Sequence, residues 1–138
     1  MNKKLSRIYI AGHNGMVGSA CHRLLKREGY INLILKSSNE LDLTNQQSVN
    51  DFFNEEKPEI VINAAAKVGG IWANSKFPYE FLMENMLIQN NLIKASFDYD
   101  VDKFIFLGSS CIYPKMANQP IDENSLLTGE LEETNQWY

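Results

Sequence analysis

Three glycines near the amino terminus have the spacing of a phosphate-binding turn. The pattern Gly12-x-x-Gly15-x-x-Gly18 follows the apolar run Ile8–Ala11, and a helical pattern opens directly after it. Such glycines allow a tight turn, a close approach of the backbone to a pyrophosphate, and close packing of a helix whose N-terminus supplies N–H donors. The order of strand, glycine turn and helix therefore predicts a dinucleotide-binding turn. Its predicted cofactor-binding residues are Gly12, Asn14, Gly15, Met16, Val17 and Gly18.

A second group of reactive side chains follows the apolar run 104–107. In the stretch GSSCIYP, Ser109 and Cys111 bring a hydroxyl and a thiol to the end of a predicted strand, with a second serine and a tyrosine beside them. Groups of these types donate hydrogen bonds or exchange protons. A cysteine at a strand end, considered alone, is more often a packing residue, and Cys21, within a helical apolar stripe, is interpreted that way.

Predicted strands and helices alternate along the chain and position these groups. Apolar runs predict strands at 8–11, 31–35, 60–62 and 104–107. Periodicity and capping signals predict one helix from the glycine turn to Gly29, a second from the capping box 44–47 to Pro58, and a third over 79–98. Strands that are apolar on both faces predict a doubly wound α/β fold with a parallel sheet, which is Rossmann-like. The carboxyl ends of parallel strands share one edge, so both groups should meet in one cleft.

The end of the second predicted strand bears on the choice of cofactor. An acidic residue there usually bonds the ribose 2′-OH and selects NAD, whereas Lys36 and the serines after it suit a 2′-phosphate. The sequence therefore favours NADP, although Glu40 lies close enough to keep NAD open. Asp42 would accept a hydrogen bond from the adenine amine or help to cap the next helix. Small residues after the third strand complete the predicted cofactor contacts: Ala64, Ala65 and Ala66.

Composition narrows the class of protein. The 138 residues carry a net charge of −4, which gives no reason to expect nucleic acid or an anionic membrane as a partner. No apolar run approaches the ~20 residues of a membrane span, and no signal-peptide pattern is present, so a cytoplasmic protein is expected. Two cysteines are too few for a disulfide framework, and no metal site is predicted.

Three stretches carry a resemblance to a known family. The stretches AGHNGMVGSA, NAAAKVGGIWAN and FLGSSCIYPK resemble the extended short-chain dehydrogenase/reductases that act on nucleotide sugars. The resemblance is strongest to members that epimerise a GDP-4-keto-6-deoxy sugar at C3 and C5 and reduce C4 with NADPH. It implies that Ser109 hydrogen-bonds the C4 oxygen, that Cys111 is the acid/base of epimerisation, and that Tyr138 protonates the C4 oxygen.

The same resemblance implies parts that lie beyond residue 138. Family members have a lysine four residues after the tyrosine and a C-terminal portion that binds the GDP-sugar, so residues 1–138 are interpreted as the NADP-binding part, incomplete at its C-terminal side. We expect this chain alone to be inactive and a full-length chain to form a homodimer. Helix 79–98 has two apolar faces, of which one should pack on the sheet and the other fits either a partner subunit or further chain. A non-catalytic dinucleotide-binding module and another nucleotide-sugar epimerase or dehydratase of this fold remain alternatives.

Overall fold

A computed structural model describes residues 3–137 and contains one parallel sheet of four strands. The strands are β1 (Ile8–Ala11), β2 (Leu33–Ile34), β3 (Ile60–Asn63) and β4 (Lys103–Phe106), in the order β2-β1-β3-β4. The helices are α1 (Met16–Arg27), α2 (Gln46–Glu56), α3 (Ile71–Lys76) and α4 (Pro78–Asp98). Short 3-10 helices lie at Lys3–Leu5, Ser110–Ile112 and Glu123–Ser125. The predicted parallel α/β architecture is confirmed.

The sheet reverses its direction of growth at β1. From β1 the chain adds β2 on one side, then crosses to add β3 and β4 on the other, with all pairs parallel. The carboxyl ends of β1 and β3 thus border the point where the strand order reverses, which is where open α/β sheets bind their ligands. β1 is central and is buried over its whole length, because it has a strand on each side.

An aromatic cluster packs on one face of β1. The rings of Tyr9 and Phe52 have centroids 4.6 Å apart, and Phe53 stands edge-on to both rings. Leu92 of α4 is fully buried in the same core, and Asn91 beside it donates its side-chain N–H to the carbonyl of Leu43 at 2.9 Å. Helices α2 and α4 are therefore fixed against this face of the sheet by apolar packing together with a buried hydrogen bond.

Several local predictions were wrong in detail, and the causes are physical. The second strand is two residues long instead of five, because it pairs on one side only, and Ile31 is exposed. The cap of α2 is Asn45, whose side chain accepts from the Ser48 N–H, so the capping site lies one residue later than the box predicted. The predicted apolar stripe of α1 is only half buried, with Val17 and Leu24 exposed.

The fourth strand and helix α3 also depart from the predictions. The apolar run 104–107 predicts a strand that is buried on both faces, yet β4 is an edge strand and Phe106 is 47% exposed. Helix α3 was not predicted, because six residues are too few to show an amphipathic repeat. The described chain forms two compact units, one containing residues up to Ala66 and Met86–Leu107, the other containing Lys67–Asn85 and residues from Gly108 onward.

Burial of Tyr9 predicts a specific loss of stability in alkali. Burial raises the pKa of its phenol above the ordinary value, because ionisation inside the core loses hydration. In the unfolded chain the phenol ionises above ~pH 10, so from there upward the free energy of unfolding should fall by about 1.4 kcal/mol per pH unit on account of Tyr9. Urea unfolding should show a shallower decline for Tyr9→Phe than for the parent, whereas the exposed Tyr79→Phe should follow the parent. Parallel declines for the parent and Tyr9→Phe would contradict the prediction.

Candidate cofactor site and active site

The glycine turn is pressed against the end of β3. Gly12 has φ +74°, and its carbonyl accepts the Gly15 N–H at 2.9 Å to close the turn. A Cβ on Gly12 would lie 2.6 Å from the Ala64 carbonyl oxygen and 2.8 Å from the Ala65 Cα. Glycine is therefore required here both for its backbone conformation and for space. The turn and the first two predicted alanines lie in direct contact.

The N-terminus of α1 has the features that favour an anion. Its cap is Gly15, which has no side chain to occupy the first N–H groups, and Met16 beside it is 87% exposed. Gly18 is buried one turn into the helix, where a Cβ would overlap the Gly12 carbonyl oxygen. Uncapped N–H groups and the helix dipole both favour a phosphate at this place. Asn14 and Val17 lie exposed at the same helix start.

His13 was not singled out from the sequence. Its side chain is half-buried in the glycine turn, and its Nδ1 is enclosed without a hydrogen-bond partner among the described residues. A buried ring nitrogen without a partner is costly and is expected to find one. The only sequence signal for His13 was its place between the first two glycines. Together with the uncapped helix, this atom fits a polar ligand bound at the turn.

Charges at the end of β2 are already paired. The Lys36 ammonium lies 3.3 Å from a Glu56 carboxylate oxygen, and Ser37 donates both its N–H and its hydroxyl to Glu40, at 2.8 and 2.5 Å. The hydrogen bond from the Ser37 hydroxyl lowers the pKa of the Glu40 carboxyl, which is thus ionised at neutral pH. A 2′-phosphate at this place would have to compete with Glu56 for Lys36 and with Glu40 for Ser37.

Asp42 organises the chain ahead of α2. Its Oδ1 accepts from the Thr44 N–H at 2.9 Å and from the Thr44 hydroxyl at 2.7 Å, and the hydrogen bond from that hydroxyl lowers the pKa of Asp42. This geometry favours the alternative in which Asp42 supports the helix start. The adenine role of Asp42 stays a prediction.

The alanines after β3 are held by a side chain that the sequence did not reveal. Asn63, which is 3% exposed, turns its Oδ1 toward the Ala65 N–H at 3.0 Å, and the Ala64 N–H donates to the Ala11 carbonyl at 3.0 Å. Asparagine commonly bonds the backbone two residues on and so shapes a turn. The predicted contacts Ala64, Ala65 and Ala66 therefore leave the sheet in a fixed path beside the glycine turn.

Ser109 and Cys111 lie in the second unit, around the short 3-10 helix Ser110–Ile112. Ser109 caps this helix, and its Oγ accepts the Cys111 N–H at 3.1 Å. Because that bond uses a lone pair, the Ser109 hydroxyl proton remains available to donate. Cys111 is a half-buried free thiol. The third predicted catalytic residue, Tyr138, lies outside the described residues.

A cleft of about 490 Å³ opens elsewhere in the second unit. Its walls are the segments 114–118 and 128–131, with Ser125 and Glu133. Neither Ser109 nor Cys111 lines it, so it is separate from the predicted chemistry. Over residues 3–137 no cluster of three or more histidine, cysteine or acidic side chains could hold a metal ion. No helix within that range is long and apolar enough to span a bilayer.

The chain is similar to known proteins over its whole length. The model of the NAD dependent epimerase/dehydratase family matches residues 8–138. A GDP-L-fucose synthase of Arabidopsis thaliana is 54% identical over 138 residues, all of this chain and 43% of that relative. That of Escherichia coli K12 is 52% identical over 132 residues, 96% of this chain and 41% of the relative.

A solved structure shows the same fold. It is the GDP-D-glycero-L-gluco-heptose synthase of Campylobacter jejuni in the presence of NADPH, which is 46% identical with a TM-score of 0.91. It matches 95% of this chain, which covers 38% of that protein. This chain therefore spans about two fifths of the length of the relatives it matches.

The crowding at Gly18 gives a test of the turn. Gly18→Ala should lower the free energy of unfolding by about 3 kcal/mol, because the new methyl group meets the Gly12 backbone, which cannot move aside. Gly108→Ala is the matched control, since nothing lies within 4 Å of a Cβ built there. Urea denaturation of both variants measures the difference. Equal midpoints for the two variants would show that the turn is not packed as described.

Proposed function

The chain belongs to the NAD dependent epimerase/dehydratase family, and from this premise we propose that it is the cofactor-binding part of a GDP-4-keto-6-deoxy-D-mannose 3,5-epimerase/4-reductase. The complete enzyme would use NADPH to form GDP-L-fucose in the cytoplasm. The observation that carries the proposal is the match of the whole chain to GDP-L-fucose synthases from a plant and a bacterium. The glycine turn, which lies where the strand order of the sheet reverses, supports the proposal because it offers a place for the cofactor.

NADP is proposed as the cofactor. The first N–H groups of α1 would hold its pyrophosphate, and the Ala64–Ala66 segment would lie beside it, since the turn already contacts Ala64 and Ala65. NADPH in the solved Campylobacter jejuni relative supports this choice. Lys36 and Ser37 after β2, together with Asn14 of the glycine turn, are the groups available to a 2′-phosphate, and Glu56 and Glu40 compete for the first two. Bound NADPH would supply the hydride that reduces C4.

Three side chains would move or stabilise protons on the sugar. Ser109 would donate its hydroxyl hydrogen to the C4 oxygen and stabilise the negative charge that develops there. Cys111 would exchange protons at the carbons beside the ketone, a general acid/base role that a thiol can perform. Tyr138 would deliver a proton to the C4 oxygen during reduction. These roles follow from the resemblance and from the free hydroxyl proton of Ser109.

A complete protein with these residues provides the test. Cys111→Ser should abolish epimerisation while reduction of an already epimerised substrate persists, because a serine hydroxyl is far too weakly acidic for the exchange. Tyr138→Phe should lose reduction by ~10²-fold or more, the usual effect of removing a general acid. Solvent deuterium incorporation at C3 and C5 measures the first step, and NADPH oxidation measures the second.

The 138-residue chain serves as its own control in that assay. It should bind NADPH weakly and oxidise none of it with the keto-sugar, since the proposal places the substrate-binding part outside this chain. Deuterium exchange unaffected by Cys111→Ser would remove Cys111 from the mechanism and favour another epimerase or dehydratase of this fold. NADPH binding without turnover in the complete protein would instead indicate a non-catalytic binding module.

A homodimer is proposed for the complete protein, through the outer face of α4. Met86, Ile93 and Phe97 lie on one side of this helix and are 41%, 49% and 84% exposed. Their spacing of seven and four residues gives an apolar stripe that is interrupted by Asn90. A stripe of that pattern is suited to packing against a helix of a second copy.

Charge on that stripe should separate the subunits. Ile93→Asp in the complete protein is expected to give monomers in sedimentation or light scattering, because a carboxylate cannot be buried unpaired in a helix interface. Lys94→Asp, one residue away and outside the stripe, is the control and should stay dimeric. A monomeric parent protein, or a dimeric Ile93→Asp, would refute this interface.

A further inference from the structure

One partly buried hydrogen bond in the second unit joins two residues that are 61 positions apart in the sequence. The Asn74 side-chain N–H donates to the Asn135 Oδ1 at 2.9 Å. Asn74 belongs to the stretch NAAAKVGGIWAN and is 4% exposed, whereas Asn135 lies three residues before Tyr138. A hydrogen bond between two side chains across so much sequence is uncommon, since most side-chain bonds go to the backbone or to water.

Asn74 is itself firmly placed. It lies within α3, where its N–H donates to the Gly70 carbonyl at 3.1 Å and the carbonyl of the preceding Ala73 accepts from Phe77 at 2.9 Å. Trp72 and Phe77 pack edge to face around the same short helix, and the Lys76 ammonium stands over both rings. The Asn74 donor is therefore held in place by α3, whereas its acceptor Asn135 belongs to a less regular segment.

The segment 130–137 has neither a helix nor a strand of its own, so its path depends on ties to the rest of the unit. One tie is the Asn74–Asn135 bond. Another is Lys115, whose N–H donates to the Glu130 carbonyl at 2.9 Å and whose ammonium lies 2.8 Å from the Glu132 carboxylate. The hydrogen bond from Lys115 lowers the pKa of Glu132, so this ion pair persists at neutral pH. Lys115 ties the start of the segment, and Asn74 ties its end.

We propose that Asn74 is a positioning residue that sets the path of the chain into Tyr138 by holding Asn135. The inference rests on the proposed function, in which Tyr138 delivers a proton to the substrate. A general acid must reach its target within hydrogen-bond distance, and a displacement of about 1 Å can cost ~10²-fold in rate. Residues 136 and 137 belong to neither a helix nor a strand. Without the Asn74–Asn135 bond they would not fix the position of the Tyr138 phenol.

The fluorescence of Trp137 can report whether Asn74 holds the segment 130–137. The chain has two tryptophans, Trp72 and Trp137, so Trp72→Phe leaves Trp137 as the only one, two residues after Asn135. In that background Asn74→Leu keeps a similar volume but cannot bond Asn135. We expect its Trp137 emission to shift to the red and acrylamide quenching to increase, because the freed segment becomes more exposed.

Two further variants make the fluorescence test specific. Asn135→Ala should reproduce the shift, and the double variant Asn74→Leu/Asn135→Ala should show no more than either alone, since both remove one bond. Asn118→Ala, an exposed asparagine of the same unit with no side-chain hydrogen bond among those described, should leave Trp137 unchanged. Unchanged Trp137 emission in Asn74→Leu, with its far-UV circular dichroism intact, would overturn the proposal.

Kinetics of the complete reductase separates positioning from a merely structural role. Asn74→Leu should lower kcat for NADPH oxidation by about tenfold to a hundredfold with little change in KM for the GDP-sugar, because only the reacting geometry is disturbed. In the Tyr138→Phe background the same substitution should cost nothing more. If Tyr138→Phe alone leaves kcat intact, the proposed function of that residue fails. If Tyr138→Phe abolishes turnover while Asn74→Leu does not reduce it, the positioning role fails by itself.

Discussion

The contact of the glycine turn with the end of β3 is the constraint on which the candidate site depends. Gly12 and Gly18 have no Cβ, and that absence lets the turn lie against the Ala64 backbone while α1 starts directly above it. If either residue carried a side chain, the helix would have to shift away from the sheet. Its N-terminus would then no longer point at the edge where the strand order reverses. The proposed phosphate site is thus a by-product of close packing between backbone segments.

Sequence reasoning succeeded where the signal was local. The glycine turn, the start of α1 and the alternation of strands with helices all follow from residues within a few positions of one another, and the architecture was predicted from them. It failed where an outcome depends on distant partners. The residues next to Lys36 in the sequence do not indicate that Glu56 will pair with it. Likewise, the run 104–107 does not indicate that β4 is the last strand of the sheet among the described residues.

The second unit is organised by side-chain bonds more than by regular structure. Lys67 pairs with Glu84, and Asn85 bonds both the N–H and the carbonyl of Lys67, so the chain after the alanines is held to the first part of α4. In this unit, bonds from amide and ammonium side chains hold chain segments together, as backbone hydrogen bonds do in the sheet. None of these bonds could be predicted, because a polar residue in a loop has many possible partners. They bear on the proposed function because Ser109, Cys111 and the segment that leads toward Tyr138 lie in this unit.

The Asn63 turn has an evolutionary implication. The three residues after β3 offer only methyl groups, and their route is dictated by one buried amide inside the strand. Every substitution of those alanines except by glycine adds atoms, so it will tend to close the surface to a planar cofactor ring instead of reshaping it. Lys36 and Ser37, whose bonds are made at the rim, are free to change without disturbing the sheet. Changes in cofactor preference should therefore arise from substitutions after the second strand, while the residues after the third strand stay the same.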